Sequence, residues 1–140
     1  GVGVLLDKEQ LKYTVLEDGQ KMTEKGVLLE GIGKKHAIMH SSIAPVDNTG
    51  YLVANRLFYP GDALTVPKRP VEILALPTSG PWMKLPEGID YAAEIEPKIC
   101  FPVHDGILKQ IGSTNIIPAR VLEPRGIKFR ILEIGKETEL

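Results

Sequence analysis

The sequence predicts an α/β (α+β) fold in which an N-terminal antiparallel β meander is followed by β-α-β units. Three observations predict it. Up to Pro60, short runs of strand formers are separated by turn residues. Val71-Glu72-Ile73-Leu74-Ala75-Leu76 is a short, almost wholly apolar run, the pattern of a strand buried on both faces. Pro86 to Glu96 then carries Ile89, Ala92, Ala93 and Ile95 at helical spacing, ahead of a further apolar run from Lys98 to Val103.

Taken in order, Leu11 to Glu17 is rich in strand formers, and Asp18-Gly19 gives a turn before the apolar run Gly26 to Ile32, which predicts a hairpin or meander. Lys35 to Met39 is expected as a strand with His36, Ile38 and His40 on one face. On such a strand His36 and His40 lie about 13 Å apart, so both reach one ion only if the chain bends between them. Ser41 to Asn48 is polar, contains Pro45 and reads as a loop. Tyr51 to Ala54 and Leu57 to Tyr59 pair as a hairpin across Asn55-Arg56, because Asn tolerates the left-handed backbone of a tight turn. Val71 to Leu76 ends at Pro77. In the helix, Pro86 suits the first turn and Glu87 the positive end of the dipole. The strand, helix, strand order places His104 and the end of Leu76 at the same sheet edge, where ligand sites of such units lie. Ser113 to Leu122 is expected as a short helix despite Pro118, and Ile127 to Ile134 as a last strand.

Composition narrows the function classes. A chain of 140 residues is read as one domain, 1–140, and can bury roughly two-thirds of its unfolded surface. With 43% hydrophobic and 25% charged residues it has a globular composition. A net charge of -1 gives no basis for nucleic acid or an anionic membrane as partner. Cys100 is the only cysteine, which excludes an intrachain disulfide and fits a reducing, cytoplasmic setting. No apolar stretch approaches a membrane span, and Gly1-Val2-Gly3-Val4 has neither the basic flank nor the cleavage site of a signal peptide. The chain starts without methionine in a segment already apolar, which predicts a trimmed or cleaved piece of a longer protein.

The chemistry-bearing residues fall at strand exits. Asp62 follows Pro60-Gly61, and a preceding glycine lets the backbone turn sharply and leaves the carboxylate free to face a cleft. His104 lies between Pro102 and Gly106 at the exit of a buried strand. His36 and His40 precede the loop that leads to the hairpin; one is expected as a direct ligand and the other as an outer or substrate-side group, or neither as either. Singly, each reads as an ordinary turn or strand-end residue. Together, imidazoles and a carboxylate are the donors that zinc, manganese and iron take in hydrolytic sites. Asp105 suits either a hydrogen bond in the cleft or a helix cap. Trp82 is read as a packing or cleft-rim residue, with a lesser reading as a pocket wall. No Gly-x-Ser-x-Gly elbow surrounds a serine, and Gly31-Ile32-Gly33-Lys34 lacks the spacing of a phosphate loop.

His36-Ala37-Ile38-Met39-His40, Asn48-Thr49-Gly50-Tyr51-Leu52-Val53, Phe58-Tyr59-Pro60-Gly61-Asp62-Ala63-Leu64, Gly80-Pro81-Trp82 and Phe101-Pro102-Val103-His104-Asp105-Gly106 resemble, in this order, the C-terminal half of metallo-β-lactamase-fold hydrolases, nearest the ascorbate-6-phosphate-lactonase-like group. The resemblance runs from about Lys12 to the C-terminus. It implies half of an αββα sandwich and a divalent metal, zinc or manganese, whose activated hydroxide attacks an ester, lactone or phosphodiester of a small-molecule substrate. By position it makes Asp62 the bridging carboxylate and His104 the last histidine ligand, both catalytic, and His36 the third metal ligand with His40 as its rival. The family's H-x-H-x-D-H motif is absent from this chain, as is the histidine expected near Thr78-Ser79. The resemblance therefore implies weak metal binding and little activity for the chain alone, with pairing to a missing half. The alternative is a non-catalytic binding or assembly domain of the same descent, forming a homodimer through an open apolar sheet face.

Overall fold

The computed structural model describes residues 2–110 and 112–140. Its centre is one seven-stranded mixed sheet in which strand order follows chain order. The strands are β1 (Lys21–Glu24), β2 (Val27–Ile32), β3 (Gly50–Val53), β4 (Leu57–Tyr59), β5 (Ile73–Pro77), β6 (Ile99–Val103) and β7 (Lys128–Phe129). Pairing is antiparallel from β1 to β4 and parallel from β4 to β7. The meander followed by a β-α-β unit expected from the sequence is thus the architecture observed. Three helices accompany the sheet: α1 (Val2–Lys8), α2 (Leu85–Ile95) and α3 (Gly112–Leu122), the last running into a 3-10 turn at Glu123–Arg125.

The register explains the core. Leu52, Phe58, Leu74, Cys100 and Phe129 are successive cross-strand neighbours from β3 to β7, and all five are buried on one face. Ile89, Tyr91 and Ala92 of α2 and Leu122 of α3 pack onto that row. Each such buried side chain removes roughly 1.5–3 kcal/mol worth of apolar surface from water, which fixes the face because a one-residue slip would expose the whole row. β5 is buried at all five positions, as its apolar run requires. Gly88 lets α2 approach closely: a Cβ there would lie 2.7 Å from the Pro77 carbonyl oxygen. Glu87 reaches back to the Lys84 N–H at 2.7 Å, and Glu96, at φ 52, ends the helix before Pro97. The opposite face carries the row Leu29, Val53, Leu57, Ile73 and Ile99, which points away from these helices.

Four elements differ from the sequence expectation. Leu11 to Glu17 is not a strand; Leu11, Tyr13 and Val15 are exposed, and only the neighbouring Asp18 forms an isolated bridge, to Gly31. Strand-forming side chains make no strand without a ladder partner. The first hairpin turns instead at Lys25-Gly26, whose φ values of 49 and 80 are both positive, as a two-residue primed turn demands. Lys35 to Met39 is also not a strand, because Gly33 at φ 92 swings the chain out of β2 and leaves only the Lys35–Asp47 bridge. The last strand is two residues long rather than reaching Ile134, which is fully exposed. Val2–Lys8 is a helix that buries none of its residues. Among the described residues no helix is long and apolar enough to cross a membrane.

Candidate metal centre

Strand direction decides where the functional side chains meet. β2 and β4 are both antiparallel to β3, and β5 and β6 are parallel to β4, so all four end at the same sheet edge. His36 lies beyond the end of β2, Asp62 beyond β4, Trp82 beyond β5 and His104 directly after β6. This is the carboxyl edge at which ligand sites of α/β sheets collect.

Asp62 is held by its own backbone. Asn48 accepts the Asp62 N–H through Oδ1 at 2.9 Å and donates from Nδ2 to the Pro60 carbonyl at 2.9 Å, so one side chain staples the whole Pro60-Gly61-Asp62 turn. Gly61 has φ 68, and a Cβ on it would sit 2.3 Å from Asn48 Oδ1. Only glycine satisfies both conditions. The Asp62 carbonyl in turn accepts the Ala37 N–H at 2.9 Å, tying the His36 loop to this turn. That loop is fixed on its other side by His36 N–H to the Val46 carbonyl at 3.0 Å and by the Lys35–Asp47 ion pair at 2.7 Å. The Lys35 ammonium holds the Asp47 carboxyl below its usual range, chiefly through their hydrogen bond.

The two imidazoles meet opposite oxygens of one carboxylate. His36 Nε2 lies 3.4 Å from Asp62 Oδ2, and His104 Nε2 lies 3.1 Å from Asp62 Oδ1. Their polar surroundings differ. His36 Nδ1 is 2.6 Å from the Ala37 carbonyl, which can only accept, so Nδ1 carries a proton and Nε2 is the ring nitrogen turned toward Asp62. A hydrogen bond to the far ring nitrogen is the usual way a metal-binding histidine is oriented. His104 sits at φ 64, a left-handed backbone that aims its ring off the end of β6, and its buried Nδ1 has no partner among the described residues. Trp82 stands edge-on to both rings, 6.0 Å from His36 at 77° and 6.2 Å from His104 at 79°.

The structure thus brings His36, Asp62 and His104 together, and it keeps His40 apart. His40 is exposed; its Nδ1 accepts the Ser42 N–H at 3.1 Å and meets Ser42 Oγ at 2.7 Å, which makes it a local turn-closing residue. Asn48 and the contacts of Trp82 were not readable from the sequence, although Asn48 opens a segment whose resemblance is noted above. Among the described residues, no three His, Cys, Asp or Glu side chains gather into a complete ion-binding set.

A family model described as a beta-lactamase superfamily domain matches residues 5–104. Protein Rv0786c of Mycobacterium tuberculosis is 33% identical over 119 residues, covering 81% of this chain and 56% of that protein. The chain therefore spans about half the length of this curated relative. Among solved structures, Igni18, a metallo hydrolase from the archaeon Ignicoccus hospitalis, aligns with a TM-score of 0.63 at 13% identity, over 96% of this chain and 64% of that one. CmlA, a diiron beta-hydroxylase from Streptomyces venezuelae, aligns with a TM-score of 0.67 at 12% identity, over 96% of this chain and 36% of that one. At such identities these two likenesses bear on the fold.

Proposed function

This chain belongs to the beta-lactamase superfamily, and from that premise we propose that it supplies the C-terminal share of a hydrolytic metal centre, one acting on an ester, lactone or phosphodiester of a small molecule. The carrying observation is Asp62, with each carboxylate oxygen facing a different imidazole Nε2 at 3.4 and 3.1 Å. Ligands about 2.0–2.1 Å from a tetrahedral ion stand roughly 3.3 Å from one another. Each His–Asp pair thus has the spacing of one edge of such a tetrahedron, and the donor chemistry suits zinc or manganese. His36 with Asp62 would hold one ion, and Asp62 with His104 the other. Two donors per ion fall short of the three or four that retain catalytic zinc, so the remaining donors belong to further chain, in keeping with the greater length of the relative.

A bound ion of this kind lowers the pKa of its water and polarises the scissile carbonyl or phosphoryl group. The chain's own residues set the stage for it. The Ala37 carbonyl accepts the Nδ1–H of His36 and so leaves Nε2 as the nitrogen that would bind an ion. Asn48 fixes the backbone from which Asp62 projects.

Calorimetric titration with zinc and manganese tests the reading: weak binding is expected for the 140-residue chain and none for Asp62→Ala. In any longer protein that contains this chain, Asp62→Ala should abolish hydrolysis of lactones and phosphodiesters. Identical titrations for wild type and Asp62→Ala would sink the proposal.

The sheet face turned away from α2 and α3 favours a second reading, a non-catalytic assembly domain that dimerises in the cytoplasm. Leu29, Val53, Leu57 and Ile99 are only half-buried there, and Tyr51 and Tyr59 are exposed. A stable monomer in sedimentation velocity at high micromolar concentration would count against it.

A further inference from the structure

Neither imidazole is oriented by regular secondary structure. His36 stands in a loop secured by backbone hydrogen bonds, and His104 follows the last residue of β6 with a left-handed φ of 64. For the His104 ring, Asp62 is the only polar partner among the described residues, and a single contact leaves a ring free to rotate about it. Apart from Asp62, one side chain touches both rings. The Trp82 indole is near-perpendicular to His36 and to His104, at 77° and 79° and at centroid separations of 6.0 and 6.2 Å. These are the edge-to-face geometries in which aromatic rings attract. The chain makes room for this arrangement at Gly80, where a Cβ would lie 2.8 Å from Trp82 Nε1. That Nε1 is buried and without a hydrogen-bond partner among the described residues, so the indole is placed by ring contacts rather than by its polar handle.

We propose that Trp82 is a positioning residue which holds the His36 and His104 imidazoles on opposite oxygens of the Asp62 carboxylate. Trp82 thereby sets the separation of the two donor pairs without itself binding anything. The inference rests on the reading of His36, Asp62 and His104 as the metal-facing set, yet its geometric content concerns the metal-free protein. It separates Trp82 from a residue that merely fills space, because it requires both rings to respond together.

The test compares wild type with Trp82→Leu, Trp82→Phe and Gly80→Ala, each first checked for an unchanged far-UV circular dichroism spectrum. In the metal-free state, imidazole NMR signals of His36 and His104 should shift and broaden together in Trp82→Leu, while those of His40 stay fixed. Trp82→Phe keeps an aromatic edge and should retain the ordered rings. Gly80→Ala, which displaces the indole without removing it, should move both rings if Trp82→Leu proves too unstable to measure. In zinc titrations, Trp82→Leu should weaken binding by about tenfold, the usual effect of losing an outer group that orients a ligand, with Trp82→Phe close to wild type. The proposal is overturned if only one ring responds, if neither does, or if zinc binds equally to Trp82→Leu and wild type. Should wild type take up no zinc, the metal-centre reading fails by itself, and the ring signals still decide the role of Trp82.

Discussion

At the scale of single residues, the Pro60-Gly61-Asp62 turn is where one atom matters most. Gly61→Ala would place a methyl group against Asn48 Oδ1 in a backbone with φ 68. Left-handed strain costs about 1–2 kcal/mol and loss of an Asn48 hydrogen bond about 1 more, so chemical denaturation should show a loss of about 2–3 kcal/mol. Cys100 makes the opposite case, a reactive atom silenced by position. Burial pushes its thiol up to about 12, so at pH 8 it stays protonated and should resist iodoacetamide in the native state. In denaturant it should alkylate fully, which mass spectrometry reads directly. Asp62 and His104 were legible in the sequence because glycine or proline marks a strand exit, and such exits gather at one edge. Asn48 was not, because its partners lie 12 and 14 residues away and depend on how the loop folds back. His40 looked equivalent to His36 on an expected strand; the turn at Gly33 removed the strand and with it the equivalence.

At the scale of elements, α2 shows how a helix positions a site it does not enter. Tyr91 donates from its hydroxyl to the Thr65 carbonyl at 2.7 Å, anchoring the helix to the chain that leaves Asp62. Burial raises the Tyr91 hydroxyl far above its ordinary pKa, so it remains a donor at every usable pH. Tyr91→Phe leaves that carbonyl unpaired and should cost about 1–2 kcal/mol in urea denaturation. Gly88→Ala sets two effects against each other. Alanine gains up to about 1 kcal/mol of helix propensity, whereas a Cβ 2.7 Å from the Pro77 oxygen meets rigid backbone, and overpacking costs about 1–3 kcal/mol. The clash should win, lowering the melting temperature. Elements with their own periodicity were readable in advance: β5 from its apolar run, α2 from its apolar spacing, and the β3–β4 hairpin from its flanking strand formers. That hairpin turns at Ala54-Asn55, one residue early, with φ of 52 and 54. Leu11 to Glu17 misled because its composition is strand-like while its neighbours offer no ladder, a fact that lives in tertiary contact alone.

At the scale of the molecule, surface ion pairs set the response to acid. Arg56, by its hydrogen bond and then its charge, with Lys98 behind it, holds the Glu72 carboxyl below its usual range, and Lys35 does the same for Asp47. A carboxylate with a lowered folded-state pKa stabilises the fold above its unfolded value, near 4.3 for Glu, and loses that contribution as pH falls through the folded value. The urea midpoint should therefore drop between pH 7 and pH 3, and high salt should shrink the drop because these pairs are exposed. The arrangement of the sheet has a further, kinetic consequence. Each strand lies beside its predecessor in the chain, yet the ladder partners Ile73–Ile99 and Ile99–Lys128 stand 26 and 29 residues apart, so loop closure sets much of the barrier to assembling β5 to β7. His36 and His104 stand 68 residues apart in the chain, so Asp62 meets both imidazoles only when β6 is docked on β5. A bound ion would tie β6 to the loop after β2 and should therefore slow the departure of β6 on unfolding.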